Sequence, residues 1–103
     1  MADVVWSSRA YADLDAIGEY HAQTAPGYAE VLVRKLLAVV ERLEAFPESG
    51  RTVPELGDAD LREVVHRNYR IVYLFLPEED RVEVLTVFHA SQQFGAPPGE
   101  PDA

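Results

Sequence analysis

The chain has 103 residues, 18 of them acidic and 9 basic, for a formal net charge of −9, and it contains no cysteine. That length suits one domain with a core able to hold without staples; the missing thiols exclude a disulfide framework, a thiolate metal site and a cysteine nucleophile. The acidic balance argues against a protein that grips nucleic acid over a broad basic face.

No apolar run approaches the ~20 residues of a membrane helix, and the N-terminus lacks the basic-then-apolar layout of a signal peptide, so a soluble, cytoplasmic protein is expected. Val4 to Trp6 predicts a short first strand, and Ser7 is placed to cap the helix that follows by accepting a backbone N–H from its first turn. Ala10, Leu14, Ile17 and His21 recur at spacings of four, three and four, which puts them on one helical face. Asp13, Asp15 and Glu19 fall on other faces and are expected in water. Gly18 weakens that helix by about 1 kcal/mol relative to alanine, a cost that suits close approach of a neighbouring helix.

Thr24 to Gly27 is a short connection, and Pro26 fits the first turn of a second helix, so an antiparallel helical pair is predicted. The second helix carries a wide apolar stripe of Ala29, Leu32, Val33, Leu36, Leu37, Val40, Leu43 and Phe46, against a polar face of Glu30, Arg34, Glu41 and Glu44. Such a stripe covers a sheet and meets the first helix, and its width leaves part of it for a partner. Pro47 ends the helix. Glu48 to Asp60, with Gly50, Pro54 and Gly57, predicts a long loop.

From Leu61 to His89 the chain reads as three strands. Asn68 and Tyr69 separate the first from the second, and the Pro77 to Asp80 turn folds the second onto the third. Alternation puts Ile71, Tyr73 and Phe75 on one face and Arg70, Val72, Leu74 and Leu76 on the other. In the last strand it separates Val82, Val84, Thr86 and Phe88 from Glu83, Leu85, Val87 and His89. Both faces are largely apolar, so one is expected under the helices and the other under a partner segment. The elements give an α+β fold of order βααβββ, a helical hairpin packed on a small, mostly antiparallel sheet, in a single domain over 1–94. The stretch 95–103, rich in Gly, Pro and Ala, is expected to be disordered.

Arg62, His66, Arg67 and Arg70 fall within nine positions on two adjacent strands, and cross-strand pairing is expected to gather some of them on one rim. His66 and His89 admit two readings, an acid and base pair or strand ends that bond a turn, and the second is simpler. His21, on an apolar helical face, reads as a core or interface histidine. Arg70 reads equally as a free cation or as the ion-pair partner of Glu63 or Glu83. No grouping has metal-ligand spacing and no glycine-rich phosphate loop is present, so no metal and no cofactor are expected.

The run Asn68-Tyr69-Arg70-Ile71-Val72-Tyr73, closing with Val87-Phe88-His89, resembles the RelE/ParE superfamily of bacterial type II toxins. Val5-Trp6-Ser7-Ser8-Arg9-Ala10, Phe46-Pro47-Glu48-Ser49-Gly50-Arg51 and Val53-Pro54-Glu55-Leu56 resemble further pieces of that pattern in the same order, over residues 4 to 94. For the ribonuclease branch, the resemblance implies cations on the sheet that act on the ribose 2′-OH and the scissile phosphate; here Arg62, Arg70 and His89 would carry that chemistry. Glu63, however, stands where that branch has a basic residue, and Ala90-Ser91-Gln92-Gln93 lacks its arginine.

The chain is therefore identified as a member of the ParE-like branch, which implies a non-enzymatic toxin that binds DNA gyrase and is neutralised by a cognate antitoxin. Contact with nucleic acid is then expected only through the antitoxin or the target complex. On this reading Arg62, His66, Arg67 and Arg70 form the target surface, and Leu32, Leu36, Val40 and Phe75 lie under the antitoxin. A ribosome-dependent mRNA endonuclease, and a decayed member that only binds its antitoxin, stay open as alternatives.

Overall fold

In the computed structural model, which describes residues 1–57 and 60–92, the elements run β1 (Asp3–Trp6), α1 (Ser8–Ala22), α2 (Pro26–Glu41), β2 (Arg51–Thr52), β3 (Leu61–His66), β4 (Tyr69–Leu76) and β5 (Arg81–His89). They form one sheet of order β1-β5-β4-β3-β2, antiparallel except where β1 runs parallel to β5. The helical hairpin connects β1 to the rest of the sheet, which is what lets the first strand lie parallel to the last. The expected βααβββ order holds, with one addition: Arg51 and Thr52, inside the anticipated loop, pair with Glu63 and Arg62 as a two-residue strand. Gln93 and the 95–103 stretch expected to be disordered lie outside the described residues. Among those described, no helix is long and apolar enough to cross a membrane.

Local signals act as the sequence predicts. The Ser7 hydroxyl accepts the Ala10 amide at 3.0 Å and donates to the Leu85 carbonyl at 2.9 Å, so one side chain caps α1 and ties it to β5. At Gly18 a Cβ would sit 3.3 Å from Val33 Cγ2, so the missing side chain brings the two helices together. Ala10, Leu14 and Ile17 of α1 and Leu32, Leu36, Val40 and Leu43 of the second helical segment are buried against Ile71, Tyr73, Val82, Val84 and Val87. Each large apolar side chain so buried contributes about 1.5–3 kcal/mol before entropy is charged against it. The second helix gives way to a 3₁₀ turn at Arg42–Glu44 before Pro47.

Three expectations are corrected by the packing. Asp13 is not in water: it is 1% exposed, and its carboxylate accepts from Thr86 Oγ1 at 2.6 Å and Val87 N at 2.9 Å. Those donors sit beside an irregularity in the β4–β5 ladder, where Val72 pairs with Thr86 but Tyr73 pairs with Val84. The extra residue shifts the phase of β5, so Val87 joins Val82 and Val84 under the helices instead of alternating away from them. Phe88 consequently lies on the outer face with Val53, Val72 and the half-buried Leu61. That outer face is also covered differently from expectation. Val53, from the segment after β2, is fully buried on it, so the chain covers part of its own second face.

Leu32, Leu36 and Val40, expected under a partner, are 2%, 0% and 2% exposed in the monomer, and Phe75 is half-buried against the same core. The large apolar residues of α2 that do remain in water are Tyr28, Val31 and Leu37, with Phe46 just beyond. The reason is the sheet: it takes the stripe's centre, and only the flanks are left over.

Candidate functional site

On the outer face, four charges alternate in a chain from the edge inward. Arg51 of β2 contacts Glu63 of β3 through Nε at 2.7 Å; the other carboxylate oxygen of Glu63 takes Nε and Nη2 of Arg70 at 2.8 and 2.6 Å. The far edge of the Arg70 guanidinium forms a two-point fork with Glu55, Nη1 at 2.6 Å and Nη2 at 2.7 Å. Its flat face lies 4.9 Å from the centre of the Phe88 ring. Glu63 has a fully buried side chain and Arg70 one only 11% exposed, whereas Glu55 is 43% exposed. Hydrogen bonding from Arg70 lowers the Glu55 carboxyl to about 2, and the fork with Glu55, together with Glu63, raises Arg70 above its ordinary value. Both edges of this guanidinium are occupied, so a phosphate reaches it only by displacing Glu55.

Of the readings open to Arg70, the structure shows the ion pair, with Glu63 as one of its partners. The alternative partner Glu83 instead pairs with Arg81 at 3.2 Å.

The β3–β4 register places Arg62 opposite Tyr73 and Arg70 opposite Val65. Alternation therefore puts Arg62 and Arg70 on opposite faces of the sheet. Arg62 donates to the Gly50 and Glu48 carbonyls at 2.9 and 3.3 Å, and Tyr73 accepts the Gly50 amide at 2.9 Å while donating to the Pro47 carbonyl at 2.8 Å. Arg62 is thus a clamp on the segment that leads into β2. The target rim of Arg62, His66, Arg67 and Arg70 does not assemble, and neither does the nuclease set of Arg62, Arg70 and His89. Only His66 and Arg67 stay together, at the β3–β4 turn, where Arg67 has φ 55°.

A second cluster closes the end of the sheet on the helical side. His21 Nε2 and the Tyr69 hydroxyl are 2.7 Å apart, and the Tyr69 ring meets His89 edge to face at 5.3 Å between ring centres. Tyr20 and Tyr28 approach His21 edge to face at 5.1 and 5.3 Å. Burial, reinforced by His89, lowers the His21 pKa; burial pushes the Tyr69 hydroxyl up to about 12. His21 is half-buried where α1 meets β4 and is satisfied there by Tyr69, while His89 reads as a strand end: its Nδ1 lies 2.6 Å from Ser91 Oγ, and its amide donates to Gln92 at 3.0 Å. Sequence reasoning missed this grouping because the β5 irregularity sets the face of His89. His66 and His89 do not form a pair: each belongs to a different environment, with His66 depressed by burial and then by Arg67 and Lys35. Among the described residues no set of His, Asp and Glu has a geometry to hold a metal ion.

The family model for the ParE toxin of the type II toxin–antitoxin system, parDE, matches residues 4–94. This chain belongs to the ParE toxin family. Toxin RelE2 of Caulobacter vibrioides is 34% identical over 92 residues, covering 89% of this chain and 99% of the relative. In structure, the chain is similar to one from the chromosomal ParDE system of P. aeruginosa, with TM-score 0.71 at 20% identity over 86% of this chain and 96% of the other. It is also similar to the isolated E. coli RelE toxin, with TM-score 0.61 at 18% identity over 91% and 89%. At such identities these two likenesses speak for the fold: two helices on a mostly antiparallel sheet, as the RelE/ParE superfamily resemblance implied.

Proposed function

We propose that this ParE-family chain is a growth-inhibiting toxin that acts by binding a protein target, with DNA gyrase the target implied by family resemblance, and that a cognate antitoxin neutralises it. The observation that carries this reading is the state of Arg70. The arginine on which a phosphate-handling site would be built is held on one edge by buried Glu63 and on the other by Glu55. Arg62 faces away from it, and the net charge of −9 repels a polyanion. Stabilising a developing phosphate charge needs donors preorganised and unoccupied at that position.

The RelE2 relative favours a second reading, ribosome-dependent cleavage of mRNA. Two assays on the purified chain separate them. Supercoiling by gyrase is expected to be inhibited, and primer extension on translating ribosomes is expected to show intact message. Intact supercoiling together with codon-specific cleavage would replace the first reading with the second; inactivity in both, with antitoxin binding retained, would favour a toxin that has lost its activity.

A further inference from the structure

The sheet ends on β1, and the backbone groups along its outer edge follow a definite pattern. The Asp3 and Ser7 amides donate to the Asp80 and Val84 carbonyls, each at 2.9 Å. Alternate residues of a strand turn their backbone groups to the same side, so those of Val5 also face β5, while the N–H and C=O of Val4 and Trp6 point outward. Among the described residues no strand adjoins β1 on that side. One end of the edge is closed: the Ala2 amide donates to the Glu44 carbonyl at 2.8 Å. At the other end Ser7 leaves the strand to cap α1. What stays open runs from Asp3 to Ser7, with Val5 at its middle.

The side chains along this edge are apolar on both faces. Val4 and Trp6 lean on the core beneath the helices, whereas Val5, on the outer face, is 46% exposed. The Trp6 ring stacks on Tyr11 of α1 at 5.7 Å between centres, and Tyr11 is itself 57% exposed. Since α1 rests on β5, one strand in from the edge, it leaves room for a further strand beside β1. No lysine, proline or bulge blunts the edge, and its one charge, Asp3, stands at the end.

We infer that β1 is a dimerisation edge: two copies of this chain pair β1 with β1, antiparallel, about a two-fold axis at Val5, and so join their sheets into one. The register follows from the outward groups. With Val5 opposite Val5, Val4 of each copy lies opposite Trp6 of the other, and the two residues exchange both of their outward bonds. Shifting by two residues either way sets one outward residue against Ala2, whose amide is taken, or against Ser8, already in the helix. A two-fold pairing also closes on itself and leaves no open strand at the junction. Charge agrees with this register. Asp3 forms no ion pair among the described residues, and it falls opposite Ser7 of the other copy. Opposite residues project to the same face, and the Ser7 hydroxyl caps α1, so the Asp3 carboxylate comes to a helix N-terminus whose first turn holds Arg9 and no acid. A contact this short falls below the ~1,200 Å² of stable complexes, so the dimer is weak and concentration-dependent. The inference does not depend on which target the toxin acts on.

The chain has no cysteine, so Val5→Cys sets one thiol per copy on the proposed axis. A non-hydrogen-bonded antiparallel pair, about 4.5 Å between Cα atoms, lies within disulfide reach. Under mild oxidant the full-length variant is expected to form a covalent dimer at least about tenfold faster than Leu37→Cys, which puts the thiol at an exposed site on α2. Sedimentation equilibrium of the unmodified chain from roughly 1 μM to 1 mM is expected to show a reversible dimer. Val5→Arg places like charges against each other on the axis and is expected to weaken that dimer by at least about tenfold, with circular dichroism unchanged. Asp3→Arg, also at an exposed position, sets a cation against the α1 N-terminus and Arg9; a loss of about threefold or more is expected, which keeps the test decisive should Val5→Arg fail to fold. A monomer throughout that range, a dimer indifferent to both charge variants, or Val5→Cys that cross-links no faster than Leu37→Cys would overturn the inference.

Discussion

Replacing Asp13 with alanine removes a carboxylate that is 1% exposed and that serves the Arg9 Nε at 2.8 Å, the Thr86 hydroxyl at 2.6 Å and the Val87 amide at 2.9 Å. Arg9 is 38% exposed, so its ion pair is partly screened and adds little. The two β5 donors are buried, and each left without an acceptor costs about 1–3 kcal/mol. Relief of the desolvated carboxylate offsets part of that. The net loss is expected at about 2–5 kcal/mol, a large share of the ~5–15 kcal/mol that holds a small domain folded. Urea unfolding followed by circular dichroism reads it as a shifted midpoint at unchanged slope. Thr86→Val removes one of the two stranded donors, so the double variant is expected to be more stable than the sum of the single losses by about 1–2 kcal/mol. A loss below about 1 kcal/mol for Asp13→Ala, or simple additivity with Thr86→Val, would refute the argument that this carboxylate pins the irregular stretch of β5.

Glu63→Leu should cost about 3–5 kcal/mol in the same assay, because it leaves the largely buried Arg70 short of a counter-charge; Glu55→Gln, on an exposed part of the 53–57 segment, should hardly move the midpoint. Gly50→Ala is expected to lower stability by about 1–3 kcal/mol, since a Cβ there would stand 2.6 Å from the Tyr73 hydroxyl and 2.7 Å from the Glu63 carbonyl oxygen; an unchanged melting temperature would contradict it. His21 and His66 both have folded-state pKa values below 6.5, so the unfolded chain takes up protons first: their contribution is complete above pH 6.5 and declines as pH falls through the window beneath it. Thermal melting from roughly pH 8 down to pH 5 should show that decline, and the double variant His21→Asn with His66→Asn should flatten it.

The sequence by itself determined what depends on near neighbours along the chain. The Ser7 cap, the Pro26 start, the close helical approach at Gly18 and the buried stripe from Ala29 to Leu43 follow from spacings of three and four and from single-residue stereochemistry, and the order of elements follows from them. Family resemblance added the superfamily and its fold. Tertiary structure decided which charges are spent internally and which face each strand residue takes. Periodicity assumes a strict repeat, and one extra residue in β5 moved Val87 under the helices, Phe88 to the outer face and His89 against Tyr69, carrying a supposedly wet Asp13 into the core as the acceptor for that stretch. Three arginines and a histidine within nine positions looked like one patch, yet Arg62 and Arg70 ended on opposite faces, each held by groups far away in sequence, Gly50 for one and Glu55 for the other. Register and long-range ion pairing are properties of two strands at once, and no single stretch of sequence encodes them.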